Sequence, residues 1–230
     1  NDNGKKTKIY NPELIFGHLL SGSNYDDTEE RFTSGRNGLG IKLTNVFSNE
    51  FEIDVYDPVN MKRFRKRWYN NMRESDKYRL SSSSKQKPGY TNVTWKPDFE
   101  KFNLTCHTPD ILMVMHKIVY DCAMVSGVAV FLNDKKVKIK NITEYAKLYK
   151  TGDCQDFVKF SSDQCDVVFM PGNGEHISFT NGIFNKDGGV HVEKWTSDIL
   201  KSLLSLINKP NKPTLSMRDI RKFFRIFVKC

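Results

Sequence analysis

The sequence has no hydrophobic run long enough to cross a membrane. Its longest apolar stretch, residues 123–132, is broken by Ser126 and Gly127 and is well short of the roughly 20 residues that a spanning helix needs. The first residues are polar and rich in lysine, without the apolar segment of a secretory signal. We therefore expect no membrane partner for this chain.

Cysteine is scarce, and its spacing has none of the usual functional patterns. The sequence contains five cysteines and no C-x-x-C pair. An odd set without that pair argues against a disulfide framework and against a structural zinc site. The expectation is that all five thiols are reduced, as in a protein of the cytosol or nucleus. The five are Cys106, Cys122, Cys154, Cys165 and Cys230.

Basic residues clearly outnumber acidic residues in this sequence. The 36 Lys and Arg residues outnumber the 27 Asp and Glu residues, which gives a formal net charge of +9. This excess indicates an anionic partner, with nucleic acid as the first candidate. The densest basic segment, residues 62–68, alternates with Phe64 and Trp68. We interpret it first as a solvated strand face with the two aromatic side chains in the core, and second as a nucleic-acid surface.

A glycine-rich segment is the strongest local signal in the chain. Gly35, Gly38 and Gly40 permit positive φ angles and a close approach of the backbone to a ligand. Leu43, Val46 and Phe47 follow with the spacing of one apolar helix face, so the glycines are predicted to open a helix. Unpaired N–H groups at such a helix start, with the charges of Arg36 and Lys42, favour an anion such as a phosphate chain.

Glycine spacing alone leaves two interpretations open. The segment lacks the G-x-x-x-x-G-K-[ST] order of a P-loop, and an acidic polar stretch precedes it where a Rossmann fingerprint has a strand. A tight turn that caps a buried helix accounts for the glycines as well as nucleotide binding does.

Longer motifs carry a resemblance to a known family. The chain reads Pro12-Glu13-Leu14-Ile15-Phe16-Gly17-His18, then Ser23-Asn24-Tyr25-Asp26-Asp27, then Gly35-Arg36-Asn37-Gly38-x-Gly40-x-Lys42. It continues with Trp68-x-Asn70-Asn71-Met72 and, much later, Gly188-Gly189-Val190-His191-Val192. This order resembles the ATPase region of eukaryotic-type DNA topoisomerase II, a member of the GHKL ATPase superfamily, over essentially the whole chain.

The resemblance implies an α+β fold: a GHKL (Bergerat-type) sheet-and-helix sandwich, followed by a partial transducer domain of sheet plus crossover helix. It places the GHKL domain at residues 1–150 and the transducer domain at 151–230, incomplete at the N-terminus and the C-terminus respectively. It also makes the glycine-rich segment, residues 35–42 and hereafter the glycine loop, the ATP lid. Gly22, Ser23 and Asn24 would lie along the ribose and phosphates. The implied ATP-binding residues are Asn1, Asp2, Gly22, Ser23, Asn24, Gly35, Arg36, Asn37, Gly38, Leu39, Gly40, Ile41 and Lys42.

By the same resemblance, the catalytic Glu and the Mg²⁺-binding Asn of the family lie before residue 1, and its Gln-Thr-Lys phosphate sensor lies after residue 230. No catalytic or metal residue is therefore expected within this segment, which alone should hydrolyse little ATP. The intact type IIA enzyme would use ATP and Mg²⁺ and pass double-stranded DNA as a homodimer. It would act in the nucleus, or elsewhere if encoded by a large DNA virus. The alternatives are another GHKL ATPase, of the chaperone or mismatch-repair type, and a non-enzymatic nucleotide- or DNA-binding module.

Several elements are predicted from periodicity and turn residues. Strands are expected at 51–56, 61–68 and 90–95 in an antiparallel sheet, and at 157–160, 166–170, 176–180 and 223–228 further on. Helices are expected after caps at Asn11 and Thr108, at 143–149, and after Gly189. Asn133 and Asp134 predict a type I′ hairpin turn. His18 is expected to be a half-buried core histidine.

Overall fold

The computed structural model describes residues 9–19, 21–22, 24, 28, 35, 37–150, 156–209 and 214–230. These residues form two compact units, one up to His107 and the other from Thr108 onward. Within these ranges, the longest helices are too short or too polar to cross a bilayer.

The first unit is built on an antiparallel sheet. Its strands are β1 Ser48–Asp57, β2 Lys62–Tyr69, β3 Glu74–Ser75, β4 Arg79–Ser82 and β5 Tyr90–Pro97. The order is β3-β2-β1-β5, and β4 also pairs with β2. The three predicted strands are confirmed, whereas β3 and β4 are too short to produce a periodic signal. Phe64 and Trp68 are each 4% exposed and belong to the core, so the interpretation of the basic segment as a half-buried strand is confirmed.

Two short helices lie on the core face of this sheet. They are α1 Asn11–Gly17 and α2 Gly40–Val46, and a 3₁₀ turn follows β5 at Phe99–Phe102. Tyr10 is the N-cap of α1, one residue earlier than predicted. The expectation of a half-buried His18 is wrong, because the residue lies just beyond the helix end and is exposed.

The second unit begins with helix α3, Pro109–Ser126. The predicted cap is confirmed: the Thr108 hydroxyl accepts a hydrogen bond from the Ile111 N–H. The predicted hairpin is also confirmed, since β6 Phe131–Leu132 and β7 Lys135–Lys136 flank Asn133 and Asp134, both with positive φ. Helix α4, Ile142–Ala146, continues into a 3₁₀ turn at Lys147–Tyr149.

A mixed five-stranded sheet follows, with the order β11-β10-β12-β9-β8. The strands are β8 Val158–Ser161, β9 Asp166–Pro171, β10 His176–Thr180, β11 Ile183–Asn185 and β12 Phe224–Lys229. Helix α5, Val190–Ile207, and the short α6, Met217–Arg221, lie between β10 and β12 in the chain. Strands β10 and β12 are parallel, so the expected arrangement of a sheet with a crossover helix is confirmed.

The compact units divide earlier than the expected boundary at 150/151. Helix α3 packs within the second unit, because Ala123 and Met124 share a core with Phe179 of β10. Asp121 also accepts a buried hydrogen bond from Tyr145 of α4 at 2.6 Å. The compact units are a division by contacts within the chain, whereas residues 1–150 and 151–230 are domains inferred from the family resemblance. That domain assignment stays a prediction.

One expectation about the cysteines is wrong. Cys165 and Cys230 form a disulfide, whereas Cys106 and Cys122 are free and exposed. The pairing follows from strand register: Asp166 at the start of β9 lies opposite Lys229 at the end of β12. The flanking cysteines are therefore neighbours, with Cα atoms 4.2 Å apart. Sequence spacing of 65 residues gave no sign of this proximity.

Candidate functional site

The glycine loop is anchored through helix α1. Gly17 faces the Trp68 ring, where an added Cβ would come within 2.8 Å of a ring carbon. Glu13 forms an ion pair with Lys66 of β2 at 2.7 Å, and Phe16 packs near Phe51. These contacts hold α1 on the sheet and fix the position of the chain that leaves it toward Ser21.

Helix α2 buries polar side chains, which differs from the predicted apolar face. Leu43 and Phe47 are exposed, so the prediction that they form the buried face is wrong. Lys42 and Asn45 are buried instead, since each finds partners inside the unit. The Asn45 amide donates to the Phe16 carbonyl at 3.2 Å and thereby ties α2 to α1.

Lys42 is the central side chain of the site. It is 2% exposed, and its Nζ donates to the Gly38 carbonyl at 2.6 Å and to the Ser21 hydroxyl at 2.7 Å. Ser21 in turn donates to the Leu14 carbonyl at 3.1 Å. A buried ammonium is costly unless hydrogen-bonded, and both of these acceptors are neutral oxygens. No motif in the sequence points to Ser21, and its position in the small-residue turn after α1 is the only signal for it.

Gly38 is the glycine that the loop geometry requires. Its φ is +58°, and an added Cβ would lie 3.0 Å from the Gly22 nitrogen and 3.3 Å from the Lys42 ammonium. Gly22 and Gly38 therefore bring two backbone segments together beside the buried cation. Gly40 differs from the expectation of positive φ, because it is the first residue of α2 and a Cβ there would meet open space.

The structure brings together two groups of the predicted site residues. Gly22, Gly38 and Lys42 form one group, and the Asn24 amide joins the other by donating to the Gly35 carbonyl at 2.7 Å. Asn37 and Gly40 are exposed, Leu39 is half-buried, and Ile41 packs against the core of the first unit. Asn1, Asp2, Ser23 and Arg36 lie outside the described residues.

Metal-binding side chains do not gather in the described part of the chain. No group of three or more His, Cys, Asp or Glu residues there is placed to hold a metal ion. The oxygens around Lys42 are already bonded to an ammonium. The described site is therefore one of amide, hydroxyl and ammonium groups, which suits an anion.

Comparisons with known proteins bear on identity. The sequence matches no protein-family model. It is 44% identical over 240 residues to DNA topoisomerase 2 of Invertebrate iridescent virus 6, covering 99% of this chain and 21% of that protein. The chain thus spans about a fifth of the length of this curated relative.

Solved structures of high similarity come from the same family. The crystal structure of the ATPase region of Saccharomyces cerevisiae topoisomerase II matches with a TM-score of 0.85 and 36% identity, over 96% of this chain and 58% of that one. The ATPase and transducer domains of DNA topoisomerase II from Balamuthia mandrillaris match with a TM-score of 0.81 and 31% identity, over 96% and 58%. This chain therefore belongs to the DNA topoisomerase 2 family, of the eukaryotic type, and has the fold of its GHKL ATPase and transducer region.

Proposed function

We propose that this chain is the ATP-binding region of a type IIA DNA topoisomerase and that residues 35–42 cover the triphosphate. The observation that carries the proposal is the close packing of Gly38 against Gly22 beside the buried Lys42 ammonium. A Cβ on Gly38 would lie only 3.0 Å from the Gly22 nitrogen, so glycine is what lets the two backbone segments meet beside the Lys42 ammonium. The residues present therefore fit a ligand whose charged oxygens are held by backbone and ammonium groups.

Lys42 has the donor capacity that this role needs. An ammonium carries three N–H donors, and the Gly38 carbonyl and the Ser21 hydroxyl accept two of them. Among the described residues no third acceptor is bonded to the ammonium, which leaves one donor for a phosphate oxygen. Oriented donors in a water-poor site stabilise negative charge far more strongly than donors in bulk water do.

The remaining ATP-binding assignments extend from the family resemblance. Gly22, Ser23 and Asn24 would lie along ribose and phosphate, Gly35 to Lys42 would form the lid, and Asn1 and Asp2 would lie near the adenine. Bound ATP supplies the phosphoanhydride whose cleavage the intact enzyme uses. Mg²⁺ belongs to this proposal as the metal of the intact enzyme, and no described residue is assigned to it.

The intact protein is proposed to couple ATP binding and hydrolysis to closure of an N-terminal dimer gate and passage of one DNA duplex through another. It would act as a homodimer, in the nucleus or wherever a large DNA virus replicates. The second setting has specific support, because one relative is encoded by an iridescent virus. Chaperone-type and mismatch-repair-type GHKL ATPases, and a non-enzymatic binding module, are less favoured, since the matched relatives are named DNA topoisomerase 2.

The proposal is tested by titrating a non-hydrolysable ATP analogue into the chain and into its Lys42→Gln variant. Loss of one charge-assisted contact should weaken binding by about ten- to a hundredfold. Lys96→Gln is the matched control, because Lys96 is exposed and its ammonium pairs with Glu50 on the surface; its affinity should equal that of the unmodified chain. Melting temperatures are measured in parallel, since Lys42 also bonds Gly38 and Ser21. A lower melting temperature for Lys42→Gln with unchanged affinity would contradict the proposal and leave the loop a helix cap.

A further inference from the structure

The first unit has a pocket whose described lining residues are all charged and include none of the glycine loop. Its volume is about 100 Å³. It is formed by the outer surface of the sheet at β1, β2 and β4 together with the segment between β3 and β4. The residues that carry the argument are Glu52, Arg65, Arg67, Asp76, Lys77 and Arg79; we call this site the arginine pocket.

Strand register explains why the arginines face outward. Along β2, Phe64 and Trp68 are buried in the core, so the alternate residues lie on the opposite face of the sheet. The side chains of Arg65 and Arg67 are 43% and 42% exposed. Arg65 lies directly opposite Arg79 of β4. Like charges directly opposite each other destabilise a sheet; Arg65 is offset by Glu52 at 2.7 Å and Asp54 at 3.7 Å.

The acidic residues of the pocket do not balance its cations. Glu52 accepts hydrogen bonds from both Arg65, at 2.7 Å, and Arg67, at 2.7 Å, so one carboxylate serves two guanidinium groups. Asp76 accepts from the Tyr69 hydroxyl at 2.8 Å. Within the described ranges, Lys77 and Arg79 have no hydrogen bond or ion pair of their side chains. The lining has five cationic side chains and two carboxylates. Lys66 is offset by its ion pair with Glu13 of α1, so the other four cations exceed the two carboxylates by two positive charges.

The geometry points to a phosphate group as the ligand. Guanidinium groups bind phosphate oxygens with two parallel hydrogen bonds, and Arg65 and Arg79 have donors to spare. Among the residues that the structure describes, the lining contains no aromatic or aliphatic side chain, so an exposed base would find no aromatic ring there to stack on. Duplex DNA presents phosphates with its bases already stacked inside. We propose that the arginine pocket is a contact for the phosphate backbone of duplex DNA.

This proposal rests on the proposed function only for its choice of DNA as the polyanion. The experiment measures fluorescence anisotropy of a labelled duplex of about 20 base pairs with the whole chain, between 50 and 200 mM salt. Arg79→Gln should weaken binding about three- to tenfold and reduce the salt slope by about one. Asp76→Asn should strengthen binding by a similar factor, because it removes a negative charge while an oxygen remains for Tyr69. Arg218→Gln, at an exposed arginine of the second unit, is the matched control and should change neither quantity.

Three outcomes would overturn the proposal. The first is an equal loss of affinity in Arg79→Gln and Arg218→Gln, which would mean that only net charge matters. The second is tighter binding of a single strand than of the duplex. The third is a parallel loss of ATP-analogue affinity in Arg79→Gln, which would place free nucleotide in the pocket. Lid variants that leave ATP-analogue binding unchanged would instead refute the ATP proposal, and the DNA result would stand independently.

Discussion

At the scale of single residues, Gly38 and Gly40 have different reasons to be glycine. Gly38 needs a left-handed backbone and a close approach to Gly22, whereas Gly40 starts a helix and faces open space. The first requirement is met by the fold, which thereby brings the loop backbone next to the Lys42 ammonium. The second residue leaves room for a ligand, and the proposed lid would use that room.

The two glycines therefore predict opposite effects of the same substitution. Gly38→Ala should lower the free energy of unfolding by about 1–2 kcal/mol, the cost of a left-handed residue with a Cβ. Gly40→Ala should leave stability unchanged or raise it by up to about 1 kcal/mol, since alanine is the better helix former. Gly40→Ala should nevertheless weaken ATP-analogue binding, because its Cβ enters the space offered to the ligand. Urea unfolding and analogue titration of both variants check this; unchanged affinity in Gly40→Ala would remove Gly40 from the site.

Carboxylates on the outer face of the sheet predict a loss of stability in acid. A hydrogen bond from Arg63 holds the pKa of Asp54 below its ordinary value, and one from Arg65 does the same for Glu52. A lowered pKa in the folded state contributes stability that is present above the ordinary carboxyl pKa of about 4 and is lost as pH falls below it. The first unit should therefore weaken between pH 5 and pH 3, a range of roughly two units around that value.

Asp54→Asn tests this pH dependence. At pH 7 the variant should be less stable by about 1 kcal/mol, a value discounted for the solvent exposure of Arg63. Between pH 7 and pH 3.5, an interval chosen to span the carboxyl pKa of about 4, it should lose less stability than the unmodified chain. Asp163→Asn, at an exposed position of the second unit, is the control and should follow the unmodified chain. If the free energy of unfolding falls with pH equally steeply in Asp54→Asn and in the unmodified chain, Asp54 does not contribute to the acid destabilisation.

At the scale of elements, helix α3 shows how a local sequence signal becomes a structural boundary. Thr108, Pro109 and Asp110 supply the cap, the first helical residue and an acid in the first turn. The helix ends at Gly127 with φ of +69°, a left-handed C-cap. Both ends are thus encoded within a few residues, and the second unit begins at the cap.

Removing the Thr108 N-cap should lower the free energy of unfolding. Thr108→Ala deletes the oxygen that accepts from the Ile111 N–H, and such losses cost about 1 kcal/mol. Amide hydrogen exchange at Ile111 and urea unfolding measure the local and global effects. Thr105→Ala removes a hydroxyl from an exposed threonine shortly before the helix and should change neither; equal losses in the two variants would show that the cap contributes nothing specific.

At the scale of the whole molecule, the disulfide is the strongest long-range constraint in the described chain. It joins the start of β9 to the end of β12 and closes a loop of 65 residues. Removing it by Cys165→Ser with Cys230→Ser should destabilise the second unit by about 4 kcal/mol in the chain-entropy relation for that loop length. Calorimetry with and without reductant measures the effect.

A second pair of substitutions serves as the control for the disulfide. Cys106→Ser with Cys122→Ser removes the two exposed free thiols and should preserve both the melting temperature and its response to reductant. The contradictory outcome is that the Cys165→Ser, Cys230→Ser variant and the unmodified chain have the same melting temperature under oxidising conditions. Cys165 and Cys230 would then be reduced thiols in the unmodified chain, as the sequence alone predicts.

Local patterns in the sequence determined most elements of this fold. The alternation of Phe51 and Ile53, the cap at Thr108 and the Asn133-Asp134 turn each act within a few residues, so periodicity and turn chemistry identify them. Motif order over the whole chain identified the family, because many residue types at fixed spacings rarely coincide by chance.

Tertiary structure decided what depends on contacts between distant segments. Lys42 and Asn45 replaced Leu43 and Phe47 on the buried face of α2, because Ser21 and Phe16 offer acceptors that helical spacing cannot reveal. The pairing of Cys165 with Cys230 required the register of β9 against β12. The opposition of Arg65 and Arg79 required the pairing of β2 with a strand too short to predict. In each case the deciding partner is remote in sequence, and only the folded chain brings the two segments side by side.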